Sequence, residues 1–416
     1  MGRIWIRTKR QGVGPALFSF PDCLPDTTGY EKDRELRNDR FKMIAAIHKR
    51  VLLQSVVFLL ALKFPGSGSL PFGAWRRVSE TPVIAPRGDG WESAGTFNPA
   101  VVMRDGKIVM LYRAQDKGGI SRLGYADSTD GVHFTRRDEP VLSPSTDYEK
   151  EGGVEDPRLV QFGDTYYLTY TGYNNKDAQL CLATSKDLIH WERKGVIIPA
   201  NKGNWNVKWT KSGAIVPEEI DGKYWMYFLG TSADNKDQGG LASSTDLLHW
   251  TEATEMPVLP VRPGQFDSRV AEPGPAPILT PNGIVLIYSG ADDKLVYRTG
   301  VAVYDRQDPR RLISRSEKPI FAPEKEWEKV GQVPNVVFVE GMVQKGDKYL
   351  FYYGSADTYV GVAEALVSRR LRLCPSQGRN IAAVTGTDHV ETAALGCLVE
   401  RSSTALSLVR LRSFRA

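Results

Sequence analysis

Cysteine is scarce, and what there is lies too far apart to act together. Cys23, Cys181, Cys374 and Cys397 are the four among 416 residues, and no C-x-x-C spacing occurs. That excludes a paired-thiol metal or redox motif. Cys181 alone falls in a strand-like segment and reads as a small core hydrophobe. Histidine numbers five, and neither H-E-x-x-H nor G-x-S-x-G is present, which removes zinc-hydrolase and Ser-His-Asp chemistry. The net charge of +5 is small, with arginine gathered toward both ends. No basic stretch is interleaved with stacking aromatics, so nucleic acid is excluded as a partner. The apolar run Val51–Leu62 is shorter than the roughly 20 residues a bilayer span requires.

That short run has a layout of its own. His48-Lys49-Arg50 precede it and Pro65-Gly66-Ser67-Gly68-Ser69 follow, the order of a secretory signal or an N-terminal anchor. Counted from Met43 its basic flank has ordinary length, so export is expected if translation starts there, and a cytoplasmic location otherwise. Residues 1–74 are therefore read as an extension and 368–416 as a basic tail without strand signal. Between them, 75–367 reads as strand throughout. Ala126-Asp127-Ser128, Ala183-Thr184-Ser185 and Ala242-Ser243-Ser244 each open the same motif, ending in His133-Phe134, His190-Trp191 and His249-Trp250. A period of this length marks a propeller or solenoid. Five second-strand candidates (Ile108–Arg113, Tyr166–Tyr170, Tyr224–Phe228, Ile284–Tyr288, Tyr349–Tyr353) predict an all-β, five-bladed β-propeller. Trp75–Ile84 is expected to close its ring. The three histidines share one repeat position, so they are expected to be structural, packing on the blade or bonding a turn.

Glu155-Asp156-Pro157-Arg158 heads one of these repeats. Neighbouring strand residues face opposite ways, so regular geometry lets only one of Glu155 and Asp156 enter a cavity. One of the two is expected to do chemistry and the other to support it. Blade starts converge on a propeller axis, which gathers Asn98, Glu155-Asp156, Lys211, Glu272 and Glu340 into one funnel, with Tyr112, Trp205 and Trp209 near to stack on sugars. Carboxylates at that density suit glycosidic cleavage, which needs a proton donor and a second group across an oxocarbenium-like transition state.

With Phe97-Asn98-Pro99-Ala100, Leu111-Tyr112-Arg113, Glu155-Asp156-Pro157-Arg158, Lys211-Ser212-Gly213-Ala214, Phe266-Asp267-Ser268, Gly274-Pro275-Ala276-Pro277, Val333-Pro334-Asn335-Val336-Val337-Phe338 and Tyr352-Tyr353-Gly354-Ser355-Ala356-Asp357 in hand, the chain resembles glycoside hydrolase family 130. These are the β-mannoside phosphorylases and mannosidases. The resemblance implies inversion, no metal and no cofactor, with Asp156 as proton donor acting through a sugar hydroxyl. It implies substrate binding by Asn98, Arg113, Arg158, Lys211, Asp267 and Asp357. Two departures bear on the acceptor. The His-Arg pair with which family phosphorylases hold phosphate is replaced by Tyr227-Phe228-Leu229-Gly230, and Glu272 and Glu340 stand where those enzymes carry small residues. Hydrolysis of short β-mannosides, with Glu272 or Glu340 as base, is the first expectation. Phosphorolysis releasing mannose 1-phosphate, with inorganic phosphate as co-substrate, is the alternative, and a non-catalytic sugar-binding propeller the third. Linkage, aglycone and oligomeric state stay open.

Overall fold

Each strand pair is set by a short turn whose residues tolerate positive φ. Asp105-Gly106 (φ 49° and 76°) and Asp221-Gly222 (φ 54° and 70°) place both turn residues in the left-handed region, the geometry that matches the twist of a two-residue hairpin. In the computed structural model, which describes residues 70–368, such hairpins build an all-β chain.

After the two-residue β1 (Arg76–Arg77), the first antiparallel unit is β2 (Gly95–Arg104), β3 (Lys107–Gln115), β4 (Ser121–Ser128) and β5 (Thr135–Arg136). The second is β6 (Gly153–Phe162), β7 (Thr165–Tyr173), β8 (Ala178–Ser185) and β9 (Glu192–Ile198). The third is β10 (Thr210–Ile215), β11 (Tyr224–Thr231), β12 (Asp237–Ser244) and β13 (Thr251–Glu252). The fourth holds β14 (Val270–Pro273), β15 (Ile278–Thr280), β16 (Gly283–Ala291), β17 (Tyr297–Tyr304) and β18 (Leu312–Arg315). The fifth is β19 (Val337–Lys345), β20 (Lys348–Ser355) and β21 (Tyr359–Leu366), completed by β1. Parallel bridges Ser121↔Gly153 and Asp237↔Val270 fuse these units pairwise, giving sheets of eight, nine and four strands.

Apolar side chains fill the spaces between consecutive units. Leu111 and Leu123 of the first unit pack with Leu168 and Ala183 of the second. Ile108 and Met110 on the opposite face pack with Leu350 and Tyr352 of the fifth. Leu70 and Phe72, placed by sequence in the extension, are buried against the fifth unit, where Phe72 lies edge-on to Phe351. Strand β1 and the bridge Ile84↔Val360 attach Trp75–Ile84 to β21. The segment 51–62 and the tail from 369 onward lie outside the described residues.

The repeat histidines do not pack on the sheets. Their rings are exposed, and each Nδ1 meets the aspartate three residues before it, at 2.7, 2.6 and 2.7 Å for His133–Asp130, His190–Asp187 and His249–Asp246. Each aspartate also accepts two turn N–H groups, as Asp187 does from Ile189 and His190. The histidine therefore braces a turn.

Candidate active site

The first strand of each unit brings its polar residues to one place, and four of the five do so through a bulge. Register breaks lie between Phe97 and Pro99, Glu155 and Arg158, Lys211 and Ala214, and Val339 and Gly341. An inserted residue bends the strand and re-aims its side chain. Asn98, Asp156 and Ser212 take up the bend at φ 47°, 49° and 60°. Pro99, Pro157 and Pro273 sit where a missing N–H costs the ladder nothing. Gly354 keeps the facing strand out of the way, since a Cβ there would meet Asn98 Oδ1 at 2.0 Å.

The bulge overturns the expectation that Glu155 and Asp156 face apart. One guanidinium joins them: Arg113 Nη2 donates to Glu155 Oε1 (2.5 Å) and Nη1 to Asp156 Oδ1 (3.0 Å), while Nε donates to Ser121 Oγ (3.0 Å). Asn98 Nδ2 donates to the same Asp156 oxygen at 2.8 Å, and its Oδ1 has no partner. Arg158 spends its donors on the chain itself: Nε on Gly274 O (3.1 Å), Nη1 on Asp156 O (3.1 Å) and Nη2 on Pro273 O (2.9 Å). Glu340 lies 2.9 Å from Arg158 Nη2, yet neither of its oxygens is aligned for a hydrogen bond. Glu272 accepts from Ser212 Oγ and stands 4.0 Å from Arg158. Lys211, half-buried, feels Glu272 and Asp156 but makes no hydrogen bond or close ion pair among the described residues.

Crowding five carboxylates around three cations sorts their protons. Burial pushes Glu340 well above the usual carboxylate range, and Asp156 and Glu272 push it further against the pull of Arg158. Burial also raises Glu272, opposed by Lys211 and Arg158. Glu155 moves up for the same first reason, opposed by Arg113. Asp357 is raised to about 6 by burial, with Arg113 pulling down. Asp156 is the exception: burial would raise it, but Arg113, Lys211 and Asn98 together hold it below the usual range. The cluster thus sets Asp156, held toward its ionised form, among carboxyls shifted toward their neutral forms, as expected where like charges cannot all ionise.

Asp267 does not join this cluster. Fully buried, it is held by Tyr288 Oη (2.8 Å), Arg262 Nη2 (2.7 Å) and Arg315 Nη2 (2.5 Å). The same clasp recurs as Glu92 with Tyr112 and Arg136, Glu149 with Tyr170 and Arg193, and Glu328 with Tyr353 and Arg77. A position repeated this way is structural, so Asp267 is withdrawn as a substrate ligand. Tyr112 is fully buried in its clasp, with no face open to a sugar; Trp205 is half-buried beside Phe228, and Trp209 stays exposed. Two site residues were missed. Ser121 holds Glu155 (3.1 Å), and Tyr297 is a half-buried phenol among Glu272, Lys211, Asp237 and Asp357. Ser121 opens β4 and Tyr297 opens β17, and neither stands in the first strand of its unit, where the sequence places the funnel residues.

A cluster of this make-up, on this repeated all-β chain, defines a protein of glycosidic-bond chemistry. The sequence profile of glycoside hydrolase family 130, described as β-1,4-mannooligosaccharide phosphorylase, matches residues 79–375, and the chain belongs to that family. A 1,2-β-oligomannan phosphorylase of Thermoanaerobacter sp. is 41% identical over 299 residues, covering 69% of this chain and 96% of its own. Among solved structures, β-1,2-mannobiose phosphorylase from Listeria innocua in complex with β-1,2-mannobiose has TM-score 0.64 and 28% identity, covering 71% of this chain and 98% of its own. Another has TM-score 0.65 and 37% identity, covering 73% and 99%; it is described as showing that the family of mannoside phosphorylases contains glycoside hydrolases that target β-1,2-mannosidic linkages in Candida mannan. The curated relatives favour the expected alternative, phosphorolysis, over the hydrolysis expected first.

Proposed function

We propose that this protein is an inverting phosphorylase of short β-1,2-linked manno-oligosaccharides, releasing mannose 1-phosphate, and that its five units are the blades of a five-bladed propeller. Its similarity to the 1,2-β-oligomannan phosphorylase over nearly that enzyme's full length carries the reading. Inorganic phosphate then supplies the nucleophile, so the chain itself provides one proton donor and a seat for the anion. Asp156 is the donor; resting ionised, it must take up a proton as the sugar enters, and a substrate hydroxyl relays it to the leaving oxygen. Asn98 Oδ1, an unpaired buried acceptor, is suited to a hydroxyl of the mannosyl unit. Lys211 is the cation not committed elsewhere. Burial shifts Glu272 and Glu340 toward their neutral forms, and in that form each donates O–H to a phosphate oxygen and does not repel it. No cofactor enters this scheme.

One observation favours the second reading, hydrolysis. Every nitrogen of Arg158 is already bonded to backbone carbonyls, so it offers phosphate no fork. If Glu272 or Glu340 ionises beside bound sugar, it becomes a base for water. Incubation with β-1,2-mannobiose, with and without phosphate, decides between them. Phosphate-dependent mannose 1-phosphate is expected; equal release of free mannose in phosphate-free buffer would overturn phosphorolysis.

A further inference from the structure

The loops of the third and fourth units frame a groove of about 280 Å³ that takes no part in the chemistry above. Asp234, Lys236 and Gln238 line it from the β11–β12 side, Pro263 and Ser268 from the segment ahead of β14, and Asp293 from the turn after β16. Lys236 Nζ stands 3.4 Å from Asp293 Oδ1. Gln238 is fixed in place, its Oε1 accepting from Val261 N at 3.1 Å.

Strand register sets this groove beside the carboxylate cluster. Gln238 pairs with Gly230, which pairs with Thr210, the residue before Lys211. Asp237 bridges Val270, two residues ahead of Glu272 on β14. At ~3.4 Å per residue that separation is about 7 Å along the strand. Asp237 and Tyr297 stand between, each felt by Lys211. The groove therefore lies two strands across from β10, which carries Lys211, with Asp237 next to Gln238 on the shared β12.

The lining suits a neutral polyol. Two carboxylates against one ammonium disfavour an anion, and an apolar ligand would strip water from an amide, a hydroxyl and three charged groups, which is costly. The hydroxyls of a hexose can meet donors and acceptors together, with Pro263 offering an apolar patch to a ring face. We propose that this groove is a subsite for the distal mannose units of substrates longer than a disaccharide, and so sets the enzyme's preference for chain length. The proposal rests on the β-mannoside reading above.

Its test compares kcat/KM on β-1,2-mannotetraose and β-1,2-mannobiose for the wild type, Lys236→Ala and the double variant Asp234→Ala/Asp293→Ala. The variants should lose about tenfold on the tetraose, through KM, while staying within about twofold on mannobiose. An unchanged ratio between the two substrates overturns the subsite. Asp234 and Asp293 are exposed, and thermal melts check folding; if the double variant melts early, Lys236→Ala alone reads the same ratio. If the wild type cleaves no β-mannoside, the functional reading fails while calorimetric titration still tests the groove. Tighter binding of tetraose than mannobiose, lost in the variants, supports it; equal affinities reject it.

Discussion

At the scale of single residues, the cluster is governed by which carboxylates keep their protons. Glu340 is 2% exposed, and its raised pKa means the folded state binds a proton that the unfolded chain has released near pH 4.3. Stability contributed by this site is therefore fully present below the unfolded value and falls as pH rises toward the folded one. Glu340→Gln removes that dependence while keeping the shape. Melting curves should show the variant gaining on the wild type from pH 5 to pH 8; a constant gap would show that Glu340 is ionised throughout. The same ionisation turns a donor toward phosphate into a repelling charge, so the KM for phosphate should rise with pH in the wild type. Asp156 behaves oppositely, its negative charge shared with Arg113 and Asn98. Asp156→Asn should abolish turnover, by at least the roughly 100-fold typical of a lost acid, with sugar binding retained in a titration.

At the scale of elements, the clasps explain how strands and loops hold together at the outer side of each unit. A buried acid accepts from the second-strand tyrosine 20, 21, 21 or 25 residues downstream, and an arginine on the unit's outermost strand closes the pair. The third unit replaces all three members, with Asn206, Phe228 and Glu252. Tyr170→Phe takes one donor from fully buried Glu149 and should cost about 1–3 kcal/mol in denaturant unfolding. A neutral result would mean that Arg193 and the backbone satisfy Glu149 alone. The contrast between bulge and clasp shows what could be read without coordinates. The repeated Ala-x-Ser motif and the aromatic second strands are local patterns, so the β-units and the residues at their starts were legible in the sequence. The bulges were not, because one inserted residue leaves the hydrophobic pattern almost intact while reversing the facing of Glu155 and Asp156. The clasps escaped for a different reason. Three of their acids lie in irregular loops and Glu328 in a single helical turn, and only superposing the repeats reveals the interval of 20 to 25 residues that marks Asp267 as a clasp acid.

At the scale of the whole molecule, the described residues form the catalytic body, and the route by which it leaves the cytoplasm is a separate proposal resting on His48-Lys49-Arg50 and Val51–Leu62. Expressed from Met43 in a bacterial host and fractionated, the enzyme should appear outside the cytoplasm or on the membrane; unprocessed cytosolic protein would reject this. The body is completed by an unusual pairing in its fifth unit, where Arg76 and Arg77 of β1 lie against Glu364 and Ala363 of β21. Arg76 and Glu364 are 288 residues apart in the sequence. Joining ends so distant costs about 3 kcal/mol more in chain entropy than closing a ten-residue hairpin. The ribosome has therefore made almost the entire body before its first strand finds a partner. Glu340 and Asp357 emerge with that last unit, so a nascent or truncated chain lacking it has four of the five units and an incomplete carboxylate cluster.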